Sequence, residues 1–147
     1  MLGRTSSEPK LIFPALAGFY ASVSDLWYPL IRISIGGFWL YHGWGKLMSG
    51  PASVAAIMVR SGIEPHTPAA YFVMFLETVG ALAIIFGLFT RVFAVAIAVQ
   101  MAIIAWVQVP NGFGRMELFC LGAIVMIAIA LRGGGPYSLD RAIGKEI

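Results

Sequence analysis

The sequence predicts an all-α protein, a bundle of four transmembrane helices. Hydrophobic residues make up 59% of the chain and charged residues only 12%, and the mean hydropathy is +0.85. A soluble domain needs far more polar surface than this composition provides. Inside a bilayer every backbone amide must be hydrogen-bonded within the protein, which favours helices. The net charge of +3 is small and scattered, so no nucleic-acid partner is expected.

Four apolar segments are long enough to cross a hydrocarbon core about 30 Å thick, which takes roughly 20 helical residues. Only the stretch FTR separates the second segment from the third, so these two form a tight helical hairpin. The stretch PNGFGR, with a proline and two glycines that break helices, separates the third from the fourth. The predicted spans cover residues 27–48, 69–89, 91–109 and 116–132.

The connection between the first and second spans contains a short helix. Pro51 is suited to its first turn and Gly62 to its end. Val54, Ile57 and Met58 give this helix one apolar face. A short amphipathic helix of this kind is expected to lie in the membrane interface.

The chain divides into three parts along its length. Residues 1–26 form an N-terminal arm, of which residues 11–26 are predicted to be a further interfacial element. Residues 27–132 form the membrane domain, and residues 133–147 form a C-terminal tail. The single cysteine, Cys120, excludes an internal disulfide.

The flanking Lys and Arg residues predict the orientation, because cytoplasmic loops carry an excess of both. Lys46, Arg60 and Arg115 lie on the side assigned to the exterior or periplasm. Both termini are therefore expected in the cytoplasm, and the protein in the inner membrane. The residues on the predicted cytoplasmic side are Arg4, Lys10, Arg32, Arg91, Arg132, Arg141 and Lys145.

Four ionisable side chains lie in the outer half of the predicted spans. His42 and Lys46 are on the first span, Glu77 is on the second and Glu117 is on the fourth. Charges inside a bilayer cost about 3 kcal/mol each on insertion scales, so they face the bundle interior and pair. At about 100° per residue, Trp39 shares a helix face with His42 and Lys46. We predict that the two bases meet the two carboxylates inside the bundle.

This cluster has two interpretations. The ion pairs could serve only to fix the register and orientation of the helices. Alternatively, they line a pocket for a polar ligand head group or a proton path, the default for intramembrane ionisable groups. A histidine beside a carboxylate and aromatic rings suits a quinone head group, which takes up protons with electrons. No metal site is predicted, because His42 with Glu77 supplies only two ligands. The candidate quinone-binding residues are Trp39, His42, Lys46, Glu77 and Glu117.

Arg32 has no carboxylate at its own depth in the predicted spans. The stretch GGGPYSL, with its glycine run and proline, can turn the chain back after Arg132. We therefore predict that the tail folds under the bundle and that Asp140 forms an ion pair with Arg32. Tyr137 or Ser138 would add hydrogen bonds. In the alternative arrangement, Arg32 extends to a lipid phosphate.

Several short motifs follow one another along the chain. They are Arg32, the HGWGK stretch at 42–46, Glu77 before small residues, the GLFTR turn at 87–91, and the GGPYSLD stretch at 134–140. Together they resemble the DoxX family of small four-helix membrane proteins. The resemblance covers roughly residues 28–143, and the tail motif departs from the usual spacing by one glycine.

The resemblance implies a membrane subunit that works with a redox system. Relatives include the membrane subunit of a thiosulfate:quinone oxidoreductase. The chain would then bind a quinone and associate with other redox subunits. It has no haem-ligand pair on facing helices, no flavin fingerprint and no cysteine pair, so a partner would bring the electron-carrying cofactor.

A second function class is a non-catalytic accessory subunit that stabilises a larger membrane assembly. Its ion pairs would then be purely architectural. A transporter of small solutes is a weaker third reading, because four spans without visible repeats are poorly suited to alternating access. The sequence alone leaves open whether the chain is an enzyme.

Overall fold

The computed structural model describes residues 11–145, and every regular element in that part of the chain is helical. The predicted all-α class is therefore confirmed. Residues 1–10 of the predicted arm, with Arg4 and Lys10, lie outside the described residues, as do residues 146–147. The helices are α1 (Ala17–Val23), α2 (Trp27–Ser49), α3 (Pro51–Arg60), α4 (His66–Phe75), α5 (Ala81–Phe86), α6 (Thr90–Gln108), α7 (Phe113–Arg132) and α8 (Leu139–Ile143).

Within the described residues, three helical stretches are long and apolar enough to cross a membrane. They are His66–Phe86, Thr90–Asn111 and Phe113–Arg132. The first of these runs through α4, a π-helical turn at Leu76–Gly80, and α5. At 23 residues α2 is also long enough, but its ionisable and aromatic residues lower its hydropathy. The second, third and fourth predicted spans are thus confirmed by length and composition, and the first stays a prediction.

Helix ends follow the breakers in the sequence. The second span begins at His66, directly after Pro65, three residues earlier than predicted. The fourth begins at Phe113, directly after Gly112, again earlier than predicted. The short helix after the first span is confirmed as α3 (Pro51–Arg60).

The apolar face of α3 packs on α4. Val54 and Met58 are buried in a small core with Ala70 and Met74. Ile57, the third residue of the predicted face, stays 41% exposed. The burial of this face against protein explains why a 10-residue helix is stable there. Its predicted position in the membrane interface stays a prediction.

The main core lies between the long helices. α2 packs on the π-helical turn and α5, these pack on α6, and α6 packs along α7. An apolar groove of about 460 Å³ is left between α2 and α7. The buried core side chains include Tyr28, Trp39, Leu76, Ile84, Ile97, Met101, Met126 and Ile129.

The C-terminal tail folds back across one end of the bundle, as predicted. This end, which we call the tail end, holds the start of α2, the α5–α6 turn and the end of α7. Arg32 is 1% exposed there, and its Nη2 donates to the carbonyl oxygen of Tyr137 at 2.8 Å. Its Nη1 donates to the carbonyl oxygen of Gly134. The tail thus supplies backbone acceptors to a buried guanidinium, which would otherwise be costly in lipid.

The tail brings Asp140 near Arg32, as predicted, but the predicted direct ion pair between them is not among the salt bridges of residues 11–145. Asp140 is buried at 5% exposure, but its carboxylate accepts from the backbone N–H groups of Phe89 and Thr90, at 2.7 and 3.0 Å. It also accepts from the Thr90 hydroxyl at 2.7 Å. The first N–H groups of a helix have no intrahelical partner. Asp140 therefore caps α6 from another part of the chain, which satisfies more polar groups than a single ion pair would.

Gly87 makes the close approach of tail and turn possible. Its φ of +68° ends α5 in the left-handed region, which favours glycine. A Cβ at this position would lie 2.6 Å from Ser138 Cβ and 2.7 Å from Arg32 Nη1. The Gly87 carbonyl also accepts from the Asp140 N–H at 2.9 Å. The turn between α5 and α6 therefore contacts both α2 and the tail.

The cap predicts that Asp140→Ala destabilises the protein by about 1–3 kcal/mol, since it removes a helix cap and leaves buried donors unpaired. Thermal unfolding in detergent measures this, with the exposed Asp25→Ala as the matched control. The double charge exchange, Arg32→Asp with Asp140→Arg, should be no more stable than the worse single variant. Recovery in the double variant would show that a direct ion pair stabilises the tail after all.

Candidate functional site

Glu77 lies in the π-helical turn Leu76–Gly80, and its side chain is 1% exposed. A π turn adds one residue to a helical turn, and such turns occur frequently at functional sites. The Thr78 hydroxyl donates to the Met74 carbonyl at 2.7 Å and so satisfies one backbone acceptor near the turn. Local sequence patterns give no signal for a π turn, and none was predicted here.

Two side chains from neighbouring helices contact the Glu77 carboxylate. Lys46 Nζ on α2 forms an ion pair with Oε1. Gln100 Nε2 on α6 donates to the same oxygen at 2.7 Å. The structure therefore brings together Lys46 and Glu77, as the sequence predicted. Gln100 was not among the predicted site residues, although its central position in an otherwise apolar helix is a signal that could have identified it.

Gly43 sets the distance between α2 and the π-helical turn. A Cβ at Gly43 would overlap the backbone carbonyl of Glu77. Gly43 therefore allows the two backbones to approach closely, as small residues do at helix contacts in membranes. Because Lys46 lies one turn further along α2, this approach brings its ammonium group to Glu77.

A cavity of about 330 Å³ adjoins the Lys46–Glu77 pair. Its walls come from α2, α3, α4 and α6, with Phe119 from α7. Most of the lining is apolar, as in typical small-molecule sites, and a few polar groups converge on it. The polar lining residues are His42, Lys46, Ser61, Glu77, Gln100 and Gln108.

The cavity reaches the outer surface of the bundle between α4 and α6. Phe72 of α4 lines the cavity and is 58% exposed. Val99 and Ile103 of α6 also line it, and they are 54% and 48% exposed. These two helices belong to the stretches that are apolar enough to span a membrane. The cavity wall between these two helices is thus also part of the apolar outer surface of the bundle.

Three buried polar atoms in residues that line this cavity have no hydrogen-bond partner within residues 11–145. They are Trp39 Nε1, Glu77 Oε2 and Gln100 Oε1. Trp39, Glu77 and Gln100 are 3%, 1% and 7% exposed. The orientation of the Gln100 amide follows from its contact with Glu77, because an ionised carboxylate accepts only. Native proteins leave few buried polar atoms unpaired, so a ligand or water is expected at this cluster.

His42 lies at the rim of the cavity. Its side chain is exposed and its ring packs edge-on against Phe38, with ring centroids 4.9 Å apart. Trp39 and Tyr41 are each 6.0 Å away by the same measure. The predicted direct contact with Glu77 is absent, since His42 forms neither a hydrogen bond nor an ion pair within residues 11–145. His42 thus lies in an aromatic setting that is open to a ligand or to water.

Glu117 does not join the cluster, so this part of the prediction is wrong. The side chain is exposed, does not line the cavity and forms no ion pair with His42 or Lys46. The buried face of α7 includes Gly122 and Met126. Glu117 lies five positions before Gly122, about 140° away around the helix. Its depth matched the cluster, but its helical phase directs it elsewhere.

Comparison with known protein families finds a family model that matches this chain. The model of the DoxX family matches residues 28–109. The match runs from α2 to the end of α6 and includes Trp39, His42, Lys46, Glu77 and Gln100. The tail motif lies outside it, so that part of the resemblance stays a prediction. Neither a search of curated proteins nor a search of solved structures found a match.

The glycine contact predicts opposite effects for two neighbouring substitutions on α2. Gly43→Ala should lower the free energy of unfolding by about 1–3 kcal/mol, because the methyl group meets the Glu77 backbone. Gly45→Ala has open space around it and should stabilise the helix by about 0.5–1 kcal/mol. Thermal unfolding of the two variants in the same detergent measures both effects. Equal shifts in one direction would show that Gly43 does not limit the approach of α2.

Proposed function

The chain belongs to the DoxX family, and from this premise we propose that it is an integral membrane subunit whose cavity binds a lipid-soluble quinone. One observation carries the proposal: three buried, unpaired polar atoms belong to residues that line an otherwise apolar cavity. A ligand that fits must have a polar ring substituent and an apolar body. Quinones meet both requirements.

The apolar part of the ligand has a matching environment. Phe72, Val99 and Ile103 form the outward side of the cavity, and each is about half exposed on the surface of the bundle. A hydrocarbon tail in this gap would lie between α4 and α6 and remain in contact with lipid. The ligand would therefore enter from the membrane and leave no apolar surface in water.

The polar groups of the cavity distinguish the two forms of a quinone. Trp39 Nε1 and the spare N–H groups of Lys46 donate hydrogen bonds, which a quinone carbonyl accepts. Glu77 Oε2 and Gln100 Oε1 accept, and only the hydroxyl groups of the reduced form donate to them. Both unpaired acceptors are satisfied only by the reduced form. The site should therefore hold the quinol more tightly.

Each site residue has a role that its position allows. Lys46 forms the ion pair with Glu77, lines the cavity and is itself 27% exposed, so movement of this flexible side chain would give a ligand access to Glu77. Glu77 is placed to accept a hydrogen bond from a ring hydroxyl, and Trp39 is placed to orient the ring. His42 at the rim is exposed and has no protein hydrogen-bond partner within residues 11–145, so its ring nitrogens are free to contact a ligand or water. A bound quinone would supply the electron chemistry, and a partner redox subunit would exchange electrons with it.

The charges at the tail end support the proposed orientation. Arg32, Arg91 and Arg132 all lie at that end of the bundle, together with Arg141 in α8 and Lys145 just after it. An excess of Arg and Lys marks the cytoplasmic side. We therefore place the tail end in the cytoplasm, with the protein in the inner membrane and the cavity towards the exterior or periplasm.

Quinone binding can be tested with protein in nanodiscs that contain no quinone. We expect a short-chain quinol to bind about 30-fold more tightly than the matching quinone, because it pairs with two additional acceptors and each buried hydrogen bond is worth about 1 kcal/mol. Trp39→Phe keeps the ring but removes the donor, so it should weaken quinone binding more than quinol binding. Titration calorimetry under anaerobic conditions measures both affinities.

Trp106→Phe is the matched control, because Trp106 is 79% exposed and lies outside the cavity lining. It should leave both affinities unchanged. The proposal fails if neither ligand binds saturably. It also fails if Trp39→Phe and Trp106→Phe bind both ligands as the unchanged protein does.

An accessory role without a ligand is the second candidate, and one observation favours it. The Glu77 carboxylate already has two protein partners, which join α2, the π-helical turn and α6. This arrangement would stabilise the bundle even if the cavity never held a ligand. Gentle purification distinguishes the two functions. A stoichiometric quinone supports the first, whereas a stoichiometric membrane partner with its own complete active site and no quinone supports the second.

A further inference from the structure

A second pocket, of about 500 Å³, lies at the tail end, well separated in the fold from Glu77. Three cationic side chains line it: Arg132 at the end of α7, Arg141 in α8, and Lys145 just after α8. All three are exposed. The quinone site and the family match do not involve them, since all three lie beyond residue 109.

The fold brings these three charges together. The chain turns at Gly133, whose φ is +81°, and α8 then lies under the bundle. Asp140 fixes α8 to the α5–α6 turn through its backbone N–H and its carboxylate. Arg141 and Lys145 are four residues apart, and both line the same pocket as Arg132. The pocket is thus a consequence of the ordered tail.

These cations have no anionic partner in the described part of the chain. Asp140 is the one acidic residue in the pocket lining, and both of its oxygens already accept hydrogen bonds from Phe89 and Thr90. Neither ion pair found within residues 11–145 involves Arg132, Arg141 or Lys145. Among the described lining residues, three cations therefore face a single carboxylate, and this excess of positive charge favours an anionic ligand.

The surroundings of Arg132 are those of a membrane interface. Its guanidinium stacks on the rings of Trp27 and Tyr28, 4.8 and 4.6 Å from their centroids. Trp27 is 50% exposed, and Arg132 ends one of the stretches that can span a membrane. Aromatic and basic residues mark the level of the lipid head groups. A stacked guanidinium keeps the N–H groups on its edge for a phosphate.

We propose that this pocket binds the phosphodiester head group of an anionic phospholipid. Arg132 would contact the phosphate at the level of the head groups, while Arg141 and Lys145 would enclose it from the aqueous side. Each basic residue next to an anionic membrane surface contributes about 1 kcal/mol to binding. Three such side chains together are therefore sufficient for selective retention of an anionic lipid. Bound lipid would hold α8 against the bundle and so support the clamp between Asp140 and α6.

Lipid retention in nanodiscs tests this directly. Native mass spectrometry would measure how much phosphatidylglycerol the protein keeps from an equal mixture with phosphatidylcholine. The triple variant Arg132→Gln/Arg141→Gln/Lys145→Gln should bind phosphatidylglycerol roughly 100-fold more weakly, because each of the three removed charges weakens binding about fivefold. The control Arg60→Gln/Arg115→Gln removes exposed charges elsewhere and should retain phosphatidylglycerol as the unchanged protein does.

A double variant guards against misfolding of the triple one. Arg141→Gln/Lys145→Gln leaves the stacking of Arg132 intact and should still weaken phosphatidylglycerol binding by at least tenfold. Equal retention by the triple variant and the control would overturn the proposal. Displacement of phosphatidylglycerol by millimolar inorganic phosphate would also overturn it, since the pocket would then be a site for free phosphate.

Discussion

The buried carboxylate of Glu77 is the constraint on which the rest of the membrane domain depends. A carboxylate at 1% exposure is strongly destabilising unless it is paired. Lys46 and Gln100 supply the pairing from two different helices. For Lys46 to reach it, α2 must approach the π-helical turn closely, and this requires glycine at position 43. The need to pair one buried charge thus holds α2, the π-helical turn and α6 together.

The two oxygens of the Glu77 carboxylate have different surroundings. Both protein partners contact Oε1, and Oε2 has none. Fixing one oxygen leaves the other without a protein partner among the described residues, in a side chain that lines the cavity. The architectural and ligand-binding interpretations of the cluster are therefore compatible, because they use different atoms.

The tail end solves the problem of buried charge in a different way. Arg32 and Asp140 are both buried and opposite in charge, yet each contacts backbone groups and not the other side chain. Helix ends and turns expose carbonyl and N–H groups that have no partner of their own. A charge that contacts them satisfies several polar groups at once. The tail therefore completes the bundle and leaves its cations, Arg141 and Lys145, exposed at this end.

The sequence by itself determined the helical class, the positions of the helices and the chemistry of the Lys46–Glu77 pair. These features depend on local information: apolar run length, breakers such as Pro65 and Gly112, and the rule that charges in lipid pair. Only the tertiary structure decided which carboxylate joined the pair. Glu77 and Glu117 were both predicted in the outer half of the spans, but the rotation of each helix about its axis is set by packing with its neighbours. The tertiary structure likewise placed Asp140 on the N–H groups of α6, because the chain reversal that brings them together is a long-range contact.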